Sequence, residues 1–384
     1  MVSIQGLVLW ESEGDREIAA RIAIAGDFLP PGNLLLPSGL GWQEMAGTLE
    51  PCFGDISVTF ANLECVLDAE GLTPRPLVGL GEIVSSRSSA LDYLKGIHAC
   101  AVGIANNHSY DFRDAGVTRT RVAITRRGMI PLGAGKSLSG PPEVFVWQGP
   151  GKIRVGFWAA ARATHDPAKE KSEGVEPATL VRAEQALESF KRQGATFSIA
   201  LIHAGTIRSN RMDPEDIRIL DSLSHSGFNL VAAAHSHRIG GYRRVLSDRM
   251  CPSFCFYGLG SVVSGYIASP LEREGLVVVA GLNHEGRLTR LEARPVLLEE
   301  SGFGTVPSAA EGSAILDRFR RLSEEIADGS HARLFYQDAS HGLVRLYLRD
   351  AKMAYHHAGL RGLAQKASRL RMRHVRRLVH KVTG

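Results

Sequence analysis

Cysteine is scarce and unpatterned in this chain. The five present (Cys52, Cys65, Cys100, Cys251 and Cys255) are odd in number among 384 residues and form no Cys-x-x-Cys pair. That excludes the disulfide framework of a small secreted domain and fits a reducing compartment. No run approaches the ~18 apolar residues that a membrane-spanning helix requires. Between Met1 and Ala20 only Gly6 to Trp10 is apolar, with no basic residue before it and Glu11, Glu13, Asp15 and Glu17 after it, so a secretory leader is not expected. Also missing are a Gly-x-x-x-x-Gly-Lys-[Ser/Thr] phosphate loop, a Gly-x-Ser-x-Gly elbow and a Cys-His pair with a local signature. These absences point to a soluble, cytoplasmic protein, unless its tail holds it at a membrane surface, and make P-loop, serine-hydrolase and cysteine-hydrolase readings weaker ones.

Acidic residues are missing from one region only. Ala351 to Gly384 holds nine Lys and Arg and no Asp or Glu, which leaves residues 1–350 with 36 basic and 40 acidic side chains. The formal charge of +5 therefore divides into a body at −4 and a tail at +9. Leu360, Leu363, Ala367, Leu370, Val375, Leu378 and Val382 recur near helical spacing in that tail. It reads as a basic amphipathic helix, either packed on the body or docked at an anionic membrane surface. Nucleic-acid binding lacks the interleaved aromatics it would use, since Tyr355 is the only one there.

What is present is a layered α/β pattern. A composition of 44% hydrophobic and 22% charged residues excludes disorder for most of the chain, and at ~150 residues per domain the length suggests two or three. Short apolar runs predict strands at 21–26, 56–61, 99–105, 143–147, 153–158, 197–202, 228–234, 254–257, 276–282 and 288–297. The last two are joined by a hairpin turn at Asn283 to Gly286. Helical spacing predicts 89–95, 114–127, 177–193, 214–224 and 314–327, with Asp213 as the N-cap of the fourth and Pro214 in its first position. Glu215 and Asp216 complement the dipole of that helix. Residues 1–20 are read as an N-terminal extension, 21–300 as the main domain, 301–313, rich in Gly, Ser and Pro, as a linker, and 314–384 as a helical segment with the basic tail. Gly79-Leu80-Gly81 and Gly133-Ala134-Gly135 are read as turns.

The residues that follow the strands carry the chemistry. Asp27, Asn62 with Glu64, Asn106 to His108, His203, and His235 with His237 each stand where an apolar strand runs out. In layered α/β proteins those carboxyl ends form the ligand crevice. A lone Asp there is ordinarily a turn former, and a lone His an ordinary hydrogen-bonded polar residue. Two imidazoles at i and i+2 after a buried strand are harder to explain that way, and five coinciding strand ends harder still. Asp, Glu, Asn and His without thiolate form a mixed oxygen and nitrogen set suited to Mn, Fe, Zn, Co or Ni.

Asn62-Leu63-Glu64, Asn106-Asn107-His108-Ser109-Tyr110-Asp111, Gly133-Ala134-Gly135, Ile202-His203-Ala204-Gly205, His235-Ser236-His237 and Tyr257-Gly258-Leu259-Gly260 follow one another in order. Together they resemble the CapA family, the capsule and poly-γ-glutamate synthesis proteins related to calcineurin-like metallophosphoesterases, over roughly residues 20 to 265. The resemblance implies a four-layer α/β/β/α sandwich and two divalent metals bridged by a carboxylate or water. It implies Asp27, Glu64, Asn107, His203, His235 and His237 as ligands, and His108 as the neighbouring acid or phosphate-contacting residue. Asp111 either orients His108, three residues away, or caps the helix near Asp114. The chain also departs from the pattern. Asp27-Phe28-Leu29 lacks the superfamily's Asp-x-His. His203-Ala204-Gly205-Thr206-Ile207 lacks the aromatic and the acid of the family's His-Trp-Gly-x-Glu, and Gly260 is followed by Ser261 instead of Asn. The metal reading stands without these residues, and their loss bears on which substrate the site would take.

The implied chemistry is hydrolysis of an anionic small molecule or polymer, with capsule or poly-γ-glutamate metabolism as its setting. The alternative is a metal-containing, non-catalytic component of a polymer synthesis machinery that binds polymer or partner.

Overall fold

The computed structural model describes residues 6–338 except 31, 33–35, 37–39, 77–82, 163–166 and 246–251. Gly79, Gly81, Cys251 and the tail 351–384 therefore lie outside the described residues. By compactness the chain divides into residues 1–324 and 325–384. The first unit is described below.

Its main strands are β1 (Leu7–Glu11), β2 (Ala20–Leu29), β3 (Val58–Leu63), β4 (Ala99–Gly103), β5 (Ile130–Leu132), β6 (Phe145–Gln148), β7 (Arg154–Ala161) and β8 (Phe197–His203). They continue with β9 (Leu230–Ala234), β10 (Tyr242–Val245), β11 (Ser253–Phe256), β12 (Ser261–Ser264), β13 (Glu274–Leu282), β14 (Leu288–Leu298) and β15 (Gly304–Thr305). A nine-stranded sheet runs β1-β14-β13-β2-β3-β4-β5, with β12 also pairing β2 and β15 pairing β14. A six-stranded sheet runs β10-β11-β9-β8-β7-β6. The parallel strands β2, β3 and β4, and β7, β8, β9 and β11, occupy the middles of the sheets, with β5 parallel to β4 at the edge of the larger one. They read as largely apolar runs because both their faces are covered.

The two sheets face each other. Phe60 of β3 and Phe157 of β7 meet with ring centroids 5.0 Å apart, and Gly103 of β4 lets Ala159 and Leu201 of the other sheet approach. Helices cover the outer faces. On the first sheet, Trp42 of α1 (Trp42–Ala46) and Tyr93 of α2 (Leu91–Gly96) pack around Phe28, and α3 (Arg113–Arg126) follows β4. On the second, Phe190 of α4 (Leu180–Arg192) joins Phe228 and Trp158, and α5 (Pro214–Ser226) lies alongside. Phe319 of α6 (Ala309–Ala327) stacks on Tyr242 and Phe256. The architecture is the four-layer α/β/β/α sandwich.

Two segments at the ends of the main domain differ from the sequence expectation. Residues 7–11, read as part of an extension, form an edge strand of the large sheet paired antiparallel with β14. Residues 301–313, read as a linker, contain β15, the fully buried Phe303 and the first turn of α6. That helix starts at Ala309, where Ser308 and Glu311 form a capping box through Ser308 N to Glu311 Oε2 at 2.9 Å. Glycine and serine here serve tight turns in a packed core, with the same composition that a solvated linker has.

One close approach sets up the site. β2 pairs irregularly with β3 between Ala25 and Asp27, and a Cβ at Gly26 would lie 2.0 Å from the carbonyl oxygen of Gly260. Only glycine lets the loop before β12 press against β2 there, and Asp27 N donates to that same oxygen at 2.9 Å.

Candidate metal centre

Four strands deliver side chains to one end of the sandwich. Asp27 lies near the carboxyl end of β2, Glu64 just beyond β3, His203 at the last residue of β8, and His235 and His237 just beyond β9. In parallel register Asp27 sits beside Asn62, and His203 beside Ala234. Residues separated by up to 210 positions thus meet because the strands that carry them are neighbours or face one another.

Asp27 is fully buried and well satisfied. Its Oδ1 accepts from Asn62 Nδ2 at 2.7 Å, its Oδ2 accepts from the His235 amide at 3.0 Å, and His237 Nδ1 lies 3.2 Å from Oδ2. Burial pushes its carboxyl upward, but His237, the His235 amide and Asn62 outweigh that and hold it below the ordinary carboxylate range. Glu64 is the opposite case. It is fully buried, and among the described residues neither carboxylate oxygen has a hydrogen-bond partner. Around it stand His203 Nε2 at 3.4 Å and His235 Nδ1 at 3.7 Å from Oε1, and His237 Nδ1 at 3.7 Å from Oε2. His235 Nδ1 is likewise buried without a hydrogen bond. A buried carboxylate left bare costs several kcal/mol or must be met by a cation, on the order of the penalties known for buried charges.

These donors fit divalent metal. Glu64, His203 and His235 can direct one ligand atom each to a common point, and so can Asp27, Glu64 and His237, with the atoms of each set within 4.8 Å of one another. Glu64 belongs to both sets, so its two oxygens face two adjacent positions. Oxygen and imidazole donors without thiolate suit borderline divalent ions.

The backbone is bent to make this possible. His235 and His237 both take positive φ, +113° and +54°, conformations that cost about 1–3 kcal/mol each and persist only where neighbours impose them. The Asp27 bond to the His235 amide and the Ser236 hydroxyl, which donates to Arg238 O at 2.9 Å, hold the turn.

Asn107 and His108 complete the group from the loop after β4. Asn107 Oδ1 lies 2.6 Å from His203 Nε2. His108 stands at the edge, its Nδ1 2.7 Å from Asp111 Oδ2 and its amide donating to Asn106 Oδ1 at 3.1 Å. Asp111 is not a helix cap, because Phe112 holds that position on α3. Its carboxylate is buried and receives Arg75 Nε at 2.9 Å and the Val84 amide at 2.8 Å besides His108. All eight residues singled out in the sequence are therefore brought together.

Three further residues carry weight that the sequence does not assign. Asn62 and Asn106 stand inside quoted motifs without a role. Asn62 bonds Asp27 and Asn106 Nδ2 donates to Leu63 O at 2.7 Å, tying the loop after β4 to β3. Arg75 lies in a stretch with no motif, and nothing in its surroundings signals a partner at position 111.

The site has a definite acid–base character without metal. Burial, with the charge of Asp27 adding to it, pushes Glu64 up to about 8 despite His237. Burial lowers His237, but Glu64 and Asp27 more than reverse this and raise it to about 9. Burial and the charge of His237 lower His235 to about 4, and burial and the other imidazoles hold His203 well below its usual value. Glu64 and His237 have folded values above the ordinary 4.5 and 6.5, so the stability they supply is lost as pH rises toward 8 and 9. Metal requires the deprotonated forms and stabilises more as pH rises. Melting temperatures with and without chelator should therefore diverge from about pH 6.5 to about pH 9, and a constant gap would contradict a metal site built on these residues.

The family model described as "Bacterial capsule synthesis protein PGA_cap" matches residues 21–266, a span that contains every residue of the centre. No curated protein matches the chain in sequence. Among solved structures the chain is similar to the NAD nucleotidase of Haemophilus influenzae, at 12% identity and a TM-score of 0.43, covering 79% of this chain and 63% of that one. It is also similar to a 5'-nucleotidase precursor from Thermus thermophilus, at 12% identity and 0.45, covering 79% and 58%. A third is the calcineurin-like phosphoesterase YfkN from Bacillus subtilis, at 13% identity and 0.41, covering 81% and 99%. The chain thus spans less than two thirds of the first two.

Proposed function

The chain belongs to the bacterial capsule synthesis protein PGA_cap family, and from that premise we propose that it is a metal-dependent hydrolase of phosphoesterase type, acting on an anionic substrate in capsule or poly-γ-glutamate polymer metabolism. The observation that carries this reading is Glu64, a buried carboxylate whose two bare oxygens each face a separate set of ligand atoms. Asp27, Glu64 and His237 would hold one ion and Glu64, His203 and His235 the other, with Asn107 beside His203. Divalent ions bound there would supply hydroxide at neutral pH and neutralise charge on the substrate's oxygens.

The remaining work falls to the protein. Asp111 accepts the Nδ1 proton of His108, which leaves Nε2 as the ring nitrogen able to deliver a proton to a leaving oxygen. Arg75 and the Val84 amide hold the Asp111 carboxylate and so fix the imidazole. Asp27, Glu64 and His203 are buried, while His108 and His237 each keep about an eighth of their side chains exposed, 13% and 12%, and so face the approach to the centre.

Elemental analysis of the purified protein, coupled to a panel of phosphoester and γ-glutamyl substrates, tests the proposal. Two metals per chain with turnover is the expected result. One metal per chain and no turnover would overturn it. Stoichiometric metal without turnover would favour a metal-containing binding component, a reading that Ile207 and Ser261 support by standing where the family pattern has an acid and an amide.

A further inference from the structure

Arginines gather beside His237 in an arrangement the hydrolytic centre does not use. Glu272 is buried and fixed by the Ala268 amide at 2.8 Å and the Ser269 hydroxyl at 3.2 Å. Its Oε1 faces two guanidinium groups, Arg238 Nη2 at 3.3 Å and Arg208 Nε at 3.6 Å. Two guanidinium groups thus share one carboxylate oxygen, and Glu274, the other carboxylate whose charge Arg238 feels, is already engaged by Arg318 at 2.8 Å. Arg238 directly follows His237 in the chain, and the Arg208 amide donates to Ser236 O at 2.9 Å, so the cluster borders the loop that carries His235 and His237.

Three observations say that this cluster lacks a partner. Arg238 Nε is buried and donates to nothing among the described residues. Arg208 keeps half of its side chain exposed, and Glu272 is its only charged contact among the described residues. Its backbone takes φ of +61°, unusual for a residue with a side chain, and its amide is pinned to Ser236 O at 2.9 Å in the loop that carries the two imidazoles. A surface arginine with no task has no reason to be held in a strained turn against that loop. The sequence departs from the family pattern at this same place, since Ile207 replaces the acid and is half exposed. Where the pattern places a negative charge, this chain presents an apolar side chain followed by a cation.

We propose that Arg208 and Arg238, joined through Glu272 beside His237, form an anion-docking subsite that holds a second oxyanion group of the substrate while the first lies at the Glu64 centre. The substrate class is then a compound with two neighbouring acidic groups, a diphosphate or a phosphate next to a carboxylate. Guanidinium groups match the geometry of either oxyanion, and charge-assisted hydrogen bonds are about twice as strong as neutral ones. This inference rests on the hydrolytic reading for the placement of the first group.

The test is binding of non-hydrolysable probes to the metal-loaded full chain, freed of unbound metal, by titration calorimetry. Methylphosphonate offers one acidic group, methylenediphosphonate two phosphoryl groups, and phosphonoacetate a phosphoryl and a carboxylate. At least one of the double acids should bind tenfold or more tightly than methylphosphonate. Arg208→Gln should cut that advantage to threefold or less, with methylphosphonate affinity and metal content unchanged, while Arg208→Lys should keep part of it. Preference for methylenediphosphonate alone makes the second group a phosphate; preference for both makes it either oxyanion. An advantage that survives Arg208→Gln, or no advantage in the parent protein, overturns the subsite. Methylphosphonate that fails to bind the parent protein, or binds Glu64→Gln equally well, counts instead against the metal centre, so the two failures can be told apart.

Discussion

On the proposed two-metal reading, Glu64→Gln is expected to remove both metals at once. The substitution keeps the volume of the side chain but takes the charge from the one residue common to the two ligand sets. Changes to groups that merely orient ligands lower metal affinity by about 10–100-fold, so loss of a shared ligand should exceed about 100-fold and take turnover with it. Metal content, by elemental analysis after dialysis, should drop from two per chain to below one. The metal-free variant should melt no lower than the metal-free parent, because among the described residues Glu64 receives no hydrogen bond and it holds an unfavourable buried acid. A variant that retained both metals would show that Glu64 bridges nothing. One that lost the fold without metal would make Glu64 a structural residue.

His108→Ala should separate chemistry from metal binding. Its Nδ1 is engaged by Asp111 and the residue lies at the partly open edge of the centre, outside both sets of converging ligand atoms. Removal of a positioned general acid ordinarily slows a reaction by about 10²–10⁴-fold. A loss of kcat in that range is expected, with both metals retained. Substrates whose leaving group is a weak base, and so needs no proton, should lose least; comparing a nitrophenyl ester with an alkyl ester measures this directly. If His108→Ala loses metal, the residue is a ligand and its assigned role is wrong. Asp111→Asn should show a smaller loss of the same kind, since Arg75 would face an uncharged partner and the imidazole would be less firmly held.

Much of this is readable from the sequence for a physical reason. Strands buried on both faces admit few polar side chains, so Ile22 to Ala25 and Leu230 to Ala234 stand out as apolar runs, and Val58 to Ala61 is interrupted only by Thr59, whose hydroxyl donates to Ile97 O. The first polar residues after them fall at the ligand end. What cannot be read depends on distant partners. An asparagine such as Asn62 is defined by what lies across the sheet, and Arg75 reaches Asp111 from 36 positions away. The strand at Ser261–Ser264 is four residues long, too short for periodicity to declare, and exists because Gly260 and Gly26 let two backbones approach. The run Leu7 to Glu11 draws attention only as a possible leader, although its hydrophobic residues suit an edge strand as well. The Ser308 and Glu311 box is a legible helix start, obscured by the glycine-rich composition around it.

The pairing of β1 with β14 has a bearing on how the chain is made. Leu7 to Glu11 find their partners at Arg290 to Ala293, near the end of the first unit. Closing so long a loop costs little extra free energy, because the entropy grows only with the logarithm of its length. It does cost time, since distant contacts slow folding. During synthesis, β2 and β3 can pair early, but β12 and β13, which flank β2 on its other side, emerge after residue 260. Until then the strand that bears Asp27 has one open edge and Leu7 to Glu11 have no sheet to join. Metal capture by the nascent chain should therefore come late, after the turn at His235 and His237 has emerged and β2 has been enclosed on both sides.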